Sequence, residues 1–155
     1  MQHEAQTTRK MLERVPADKF DWQPHVKSMT VKKLATHIAE LPGWTTIALT
    51  TEGLDLGNNP YEVPDVQNTE ELLAYFDKTQ ANAIDHLAKA TDADLQPNWT
   101  LSWGDKVLNV APKGDTVRVA ISQTIHHRAQ LGVFLRLLDV PIPGSYGPSA
   151  DEAWH

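Results

Sequence analysis

The chain has 155 residues, of which 41% are hydrophobic and five are tryptophan, enough for one globular domain (residues 1–155) with a substantial core. The formal net charge of −6 and the scattered Lys and Arg residues argue against a nucleic-acid binder, which needs a basic face to neutralise phosphates. The absence of cysteine excludes a disulfide framework, thiolate metal ligands and a Cys nucleophile.

No segment of the sequence has the length and apolarity of a membrane span. The apolar runs are all far shorter than the roughly 20 residues that a bilayer requires. The N-terminal segment MQHEAQTTRKML is polar and amphipathic, unlike a signal peptide or an anchor. Together with the lack of cysteine, these features predict a cytoplasmic protein with neither membrane nor nucleic-acid partners.

The N-terminal part of the chain predicts a short helix followed by a loop. The helix covers residues 2–14, with Ala5, Thr8, Met11 and Leu12 facing inward. Residues 15–27 form the loop, in which Phe20 and Trp22 are expected to pack on the core. His25, next to a proline in this loop, is expected to be exposed.

A second helix is predicted after residues 28–30, whose hydroxyl side chains can cap its first turn. We expect a kink at Pro42 and a continuation to about residue 51, because the apolar period resumes after the proline. His37 lies on the edge of the apolar face, and Trp44 lies two turns further along the same face. The apolar stripe consists of Val31, Leu34, Ile38 and Leu41.

Residues 52–68 are rich in Gly, Asn and Pro and predict a long crossover rather than a tight turn. Residues 69–91 predict a third helix, with His86 near the edge of its apolar face and expected to be exposed. Its inward residues are Leu72, Phe76, Ala83 and Leu87.

A β-hairpin is predicted before the last helix. Apolar and polar residues alternate over residues 99–103, and a second apolar-rich run covers residues 107–110. Gly104-Asp105 between them is a typical turn pair. Because an isolated hairpin is marginally stable, we expect it to pack on the helices or on a neighbouring subunit.

Residues 115–138 predict a long amphipathic fourth helix, with Asp115 as its N-cap and Pro141 and Pro143 beyond its end. Its inner face comprises Ala120, Thr124, His127, Leu131, Phe134 and Leu138, widened by Val117, Ile121 and Leu135. The tail from residue 139 onward is expected to be extended.

Polar residues interrupt the inner face of this last helix. Gln123 and His127 lie one turn apart on the same side, and Gln130 lies close to the next turn. Burying each without a partner costs roughly 1–3 kcal/mol, so they are either a hydrogen-bonded core pair or part of a binding site. His126 points about 100° away, toward a groove edge or solvent.

Two segments resemble one known family. TVKKLATHIAELPGW (residues 30–44) and TIHHRAQLGVFLRLLDVPIPGSYGPSADE (residues 124–152) are similar to the DinB-like (DinB/YfiT) family, and the resemblance extends over nearly the whole chain. It implies an all-α, four-helix bundle with a divalent metal between the helices. The crossover between helices 2 and 3 and the hairpin before the last helix complete the expected fold.

The resemblance also implies a ligand set. The family's ligand on the second helix matches His37, and the second histidine of its H-x-x-x-H pair matches His127. The first histidine of that pair is replaced here by Gln123. An amide oxygen is a poorer ligand than imidazole for Zn²⁺ or Ni²⁺, the expected metals. Gln123 is therefore a weak ligand, a partner of coordinated water, or the mark of a lost metal site.

Two functions follow from these features. The resemblance implies a metal-dependent enzyme, a hydrolase or thiol S-transferase acting on a small molecule, with catalytic residues that the sequence does not identify. The alternative is a non-catalytic bundle with a degenerate metal site that binds a small ligand or a partner. No G-x-S-x-G, phosphate-binding Gly loop or dinucleotide motif is present. Ser149, Asp151 and Glu152 are expected to be solvated tail residues rather than site residues.

The tryptophan content also predicts assembly. Five tryptophans, a tryptophan-bearing hairpin and a short first helix indicate more apolar surface than one small subunit covers. The alternative is that Trp99 and Trp103 cap the core of the single subunit. We expect a homodimer formed mainly through helix faces, since twofold dimers are the commonest soluble assemblies.

Overall fold

The computed structural model describes residues 1–58 and 62–153, and it contains four α-helices and a small three-stranded sheet. Two short 3₁₀ helices, Ala17–Lys19 and Asp92–Leu95, lie in the connections. The helices are α1 (Gln2–Leu12), α2 (Val31–Thr50), α3 (Thr69–Lys89) and α4 (Lys113–Leu137), and the strands are β1 (Gly53–Asp55), β2 (Asn98–Trp103) and β3 (Lys106–Pro112).

The core lies between the four helices. Helix α2 packs against α3 and α4, and α1 lies beside α3 and α4. Phe20 is buried, as predicted, and the partly buried Trp22 meets Phe134 of α4 edge-on, with 5.8 Å between ring centroids. None of the helices within the described ranges combines the length and apolarity needed to cross a bilayer. The largest fully buried apolar residues are Leu12, Val31, Leu34, Ile38, Leu72, Phe76, Leu131 and Leu135.

Helix α2 runs uninterrupted through Pro42, which confirms the predicted continuation past the proline. The Thr30 hydroxyl caps its start by accepting the Lys33 N–H at 3.2 Å. Pro42 has no N–H to donate, yet the helix continues to Thr50. His37 and Trp44 therefore lie on one continuous helix, about 10 Å apart along its axis.

Helix α4 begins earlier than predicted. Its first residue is Lys113, after Pro112, so Asp115 lies inside the first turn and the predicted Asp115 cap is wrong. The Asp115 carboxylate instead accepts a hydrogen bond from Arg118 at 3.2 Å. The buried stripe differs from the prediction at one turn, where Arg128 is buried and His127 is only partly buried, whereas Thr124, Leu131 and Leu135 are buried as predicted.

The predicted hairpin is confirmed, but the sheet is larger than a hairpin. Strands β2 and β3 pair antiparallel around Gly104, which adopts φ +54°. The segment predicted as a plain crossover supplies β1, which pairs parallel to β2. A Cβ atom at Gly53 would lie 2.5 Å from the Thr100 carbonyl oxygen, so only glycine permits this approach. The Asp55 carboxylate then accepts the Gly104 N–H at 2.8 Å and fixes the hairpin turn to β1.

The C-terminal tail folds back on itself rather than remaining simply extended and solvated. The Ser149 hydroxyl donates to the Ile142 carbonyl at 2.7 Å, and the Asp151 carboxylate accepts the Ile142 N–H at 3.0 Å. Glu152 accepts the Gly144 N–H at 2.8 Å. These three polar side chains hold the tail in its folded-back conformation.

Candidate functional site

The site lies in the groove between α2 and α4, where two histidine rings meet. The ring centroids of His37 and His127 are 4.8 Å apart, with an interplanar angle of 72°. The predicted approach of these two residues is therefore confirmed. Both side chains are partly buried, so they face the groove rather than the centre of the core.

Each of these rings is oriented by a residue on the next turn of its own helix. His37 Nδ1 lies 3.0 Å from the Glu40 carboxylate, and His127 Nδ1 lies 2.7 Å from Gln130 Oε1. An oxygen partner places the proton on Nδ1 and leaves the Nε2 lone pair for a ligand. Metal-binding histidines are commonly oriented by a carboxylate or another oxygen acceptor in this way.

Burial favours the neutral form of His127. Partial burial lowers the pKa of the His127 imidazole, and the nearby rings of His37 and His126 lower it further when charged. The hydrogen bond to Gln130 opposes this effect without reversing it. A neutral imidazole is the form that coordinates a metal.

The His37–His127 spacing fits a shared ion. A metal about 2.1 Å from each Nε2 lies about 3.2 Å from each ring centre, and a near-tetrahedral angle then separates the centres by about 5 Å. The observed centroid distance is 4.8 Å. Two imidazole rings held at this centroid spacing suit a borderline divalent metal such as Zn²⁺ or Ni²⁺.

The third sequence-predicted ligand, Gln123, is exposed, so its predicted burial is wrong. It lies one turn before His127 on α4, and it lines the same cavity as His37. Within residues 1–58 and 62–153, no three His, Asp or Glu side chains cluster closely enough to hold a metal. The donor set that the structure offers is therefore two imidazoles with an amide nearby.

Three further histidines were considered from the sequence, namely His126, His25 and His86. His126 is exposed as predicted, and its ring centroid lies 4.9 Å from that of His127. His25 is exposed, as predicted, and accepts the Lys27 N–H at 3.1 Å. His86 is partly buried rather than exposed, and its Nδ1 lies 2.9 Å from the Asn82 carbonyl oxygen.

A cavity of about 320 Å³ opens beside His37, between α2, α4 and the hairpin. Its walls include Trp44 of α2 and Trp99 of β2, whose rings meet edge-on with centroids 6.4 Å apart. The sequence placed Trp44 on the His37 face of α2, but the role of Trp99 depends on how the hairpin folds over the groove. We call this space the tryptophan cavity.

The structure contains a buried charge that was not predicted from the sequence. Arg128, next to His127, is only 2% exposed. Its guanidinium donates to Glu4 Oε2 at 2.7 Å, to the Thr8 hydroxyl at 3.1 Å and to the Tyr146 hydroxyl at 2.9 Å. The sequence offered one signal of this burial, since Arg128 lies one helical turn from both Thr124 and Leu131 on the predicted inner face of α4. These contacts anchor the turn of α4 that presents His127.

Comparison with known proteins gives the class of this chain. The model of the DinB family matches residues 1–154, and the chain belongs to that family. A protein described as uncharacterized, YrdA of Bacillus subtilis, is 25% identical over 152 residues, which are 96% of this chain and 85% of YrdA.

Solved structures show the same fold. A DinB-like protein of Bacillus subtilis, YjoA, superposes with a TM-score of 0.70 over 97% of this chain and 94% of its own, at 15% identity. A DinB-like protein of Bacillus cereus superposes with a TM-score of 0.68 over 94% of this chain and 92% of its own, at 22% identity. At these identities, the likeness concerns the fold.

Proposed function

We propose that this protein is a metal-dependent enzyme acting on a small molecule, with a divalent ion held between α2 and α4 of a four-helix bundle. The ligands are His37 and His127, with Gln123 as a weak third ligand. The observation that carries the proposal is the 4.8 Å spacing of two imidazoles whose Nδ1 atoms are already engaged by Glu40 and Gln130.

The donor set leaves coordination positions open for a substrate. Structural zinc sites are filled by four protein ligands, whereas catalytic sites keep a position for water or substrate. When bound, the ion supplies Lewis acidity that favours ionisation of a coordinated water or thiol, which suits a hydrolase or a thiol S-transferase. The protein's own contribution is to hold both imidazoles oriented beside a cavity of about 320 Å³.

Metal analysis of protein prepared without a histidine tag tests the proposal. We expect one Zn²⁺ or Ni²⁺ per chain after reconstitution, and we expect His37→Ala and His127→Ala to lose it. Each substitution should weaken metal affinity by more than the roughly 10–100-fold that follows the loss of a residue that only hydrogen-bonds a ligand. His126→Ala is the matched control, because His126 is the exposed neighbour of His127.

One observation supports the alternative, a non-catalytic bundle that binds a small ligand or a partner. Gln123 stands at the position of the family's first H-x-x-x-H ligand, so the described groove lacks the imidazole that the motif would place there. Wild-type protein that binds no metal after reconstitution would favour this alternative. An equal loss of metal in His126→Ala would contradict the assignment of ligands.

A further inference from the structure

The tryptophan cavity is bounded on one side by a single face of the hairpin. Side chains alternate along a strand, and the cross-strand pairs Trp99–Ala111 and Leu101–Asn109 all line the cavity. Val110, between Asn109 and Ala111 on β3, points away from the cavity and is 50% exposed. The hairpin therefore acts as a cover over the groove between α2 and α4.

The aromatic wall is fixed by packing. Trp99 is 2% exposed, and its indole N–H donates to the Thr51 hydroxyl at 3.0 Å. Trp44 contacts it edge-on at an interplanar angle of 63°. Because the Trp99 ring is held in place, the wall is formed before a ligand enters, which reduces the entropic cost of binding.

The lining carries almost no net charge. Among the described residues that line the cavity, none is Lys or Arg, and Asp115 is the one carboxylate. That carboxylate is paired with Arg118 at 3.2 Å. An anionic ligand would lose hydration here without meeting a free cation, whereas an apolar group would bury its surface against Leu41, Leu101 and two indoles.

We propose that the tryptophan cavity binds an uncharged, planar apolar group of the ligand, so that the ligand's reacting end is directed to His37 and His127. The role of this ligand as a substrate rests on the proposed function, but its binding to the cavity requires no metal. The volume of about 320 Å³ suits one small aromatic molecule of one or two fused rings with a substituent. His37 lines the cavity directly, so a ligand that fills it lies beside the candidate metal centre.

Two related fluorescent probes test this selectivity. N-phenyl-1-naphthylamine is uncharged, and 8-anilino-1-naphthalenesulfonate carries the same rings with a sulfonate. With chelator-treated protein, we expect the uncharged probe to bind one per chain, with energy transfer from tryptophan. The sulfonate should bind at least about tenfold more weakly. Equal affinities for the two probes would overturn the proposed selectivity.

Matched variants locate the bound probe. Ala111→Phe fills the cavity from the hairpin and should weaken the uncharged probe about tenfold or more, whereas Val110→Phe on the opposite face should not. Val119→Phe narrows the cavity from exposed α4 surface, with Ser122→Phe, also exposed on α4 but outside the cavity, as its control. Circular dichroism and thermal melting show that each variant is folded. Unchanged binding in both Ala111→Phe and Val119→Phe would overturn the proposed location.

A further variant separates this inference from the proposed metal centre. His127 does not line the tryptophan cavity, so His127→Ala should abolish metal binding and retain the uncharged probe. Probe binding by wild-type protein that takes up no metal would defeat the proposed enzyme and leave the cavity site standing. Metal uptake by wild-type protein that binds no probe would overturn the cavity site alone.

Discussion

Arg128 of α4 and Glu4 of α1 form an ion pair of 2.7 Å between residues 124 positions apart, and the Arg128 side chain is 2% exposed. Tyr146 closes the cluster from the tail, since its hydroxyl donates to Glu4 at 2.9 Å and its ring lies 5.3 Å from the guanidinium carbon. One buried side chain thereby links α4 to both ends of the described chain.

We predict that Arg128→Ala lowers the free energy of unfolding by about 2–3 kcal/mol, because it leaves the buried Thr8 hydroxyl and the partly buried Glu4 carboxylate without their cationic donor. Arg118→Ala on the same helix is the control. Its pair with Asp115 is exposed and should contribute at most about 1 kcal/mol. Urea unfolding followed by circular dichroism measures both, and equal losses in the two variants would contradict the role given to Arg128.

Glu4 should make stability depend on acid pH. Burial tends to raise its pKa, but hydrogen bonds from Arg128 and Tyr146 and the charge of Arg128 outweigh burial, so the pKa of Glu4 is lowered. A carboxylate with a lowered pKa in the folded state stabilises the fold above its unfolded pKa of about 4.3, and this contribution is lost as pH falls through the folded value. The free energy of unfolding of the wild-type protein should therefore fall below about pH 4.5. This fall should be smaller in Glu4→Gln, whereas Glu62→Gln, at an exposed position, should show the same fall as wild type.

Gln123→His is predicted to strengthen metal binding. The substitution restores a pair of histidines one turn apart on α4 and replaces an amide oxygen with imidazole, a better ligand for Zn²⁺ and Ni²⁺. We expect affinity for either metal to rise by at least about tenfold in calorimetric titration. Ser122→His, on the adjacent exposed position, is the control. Equal or weaker binding by Gln123→His would show that residue 123 does not occupy a ligand position.

Glu40 is predicted to act through His37. Its carboxylate is largely buried and holds His37 Nδ1 at 3.0 Å, so its removal frees the ring to rotate. We expect Glu40→Ala to weaken metal binding by about 10–100-fold, and Glu40→Gln, which keeps an acceptor oxygen, to weaken it less. The tautomer of His37, followed by nitrogen NMR, provides a readout independent of affinity. Unchanged tautomer populations in Glu40→Ala would argue against this positioning role.

The sequence was most informative where structure depends on neighbours in the chain. The apolar period located all four helices within a few residues, and the alternation around Gly104 located the hairpin. Neither pattern revealed β1, a strand of three residues whose partner β2 lies far along the chain. A strand this short has no periodicity to detect, and its pairing depends on the fold around it.

The candidate site was predictable in its histidines but not in its surroundings. The edge position of His37 and the family resemblance both located the pair. The exposure of Gln123 was missed because the buried face of α4 passes through Thr124 and Arg128 and leaves Gln123 outside it. The burial of Arg128 depends on partners on α1 and the tail, which helix periodicity does not reveal.

The last prediction concerns the oligomeric state. Val133 and Leu137 on α4 are 60% and 59% exposed, one turn apart on the same surface. We expect a homodimer formed through this part of α4, since exposed apolar patches commonly mark interfaces. Light scattering at micromolar concentration should give twice the mass of the 17.3 kDa chain. Val133→Arg combined with Leu137→Arg should shift the protein to monomer, whereas Val26→Arg, in a loop residue that is 83% exposed, should not. A wild-type mass equal to one chain would refute the dimer.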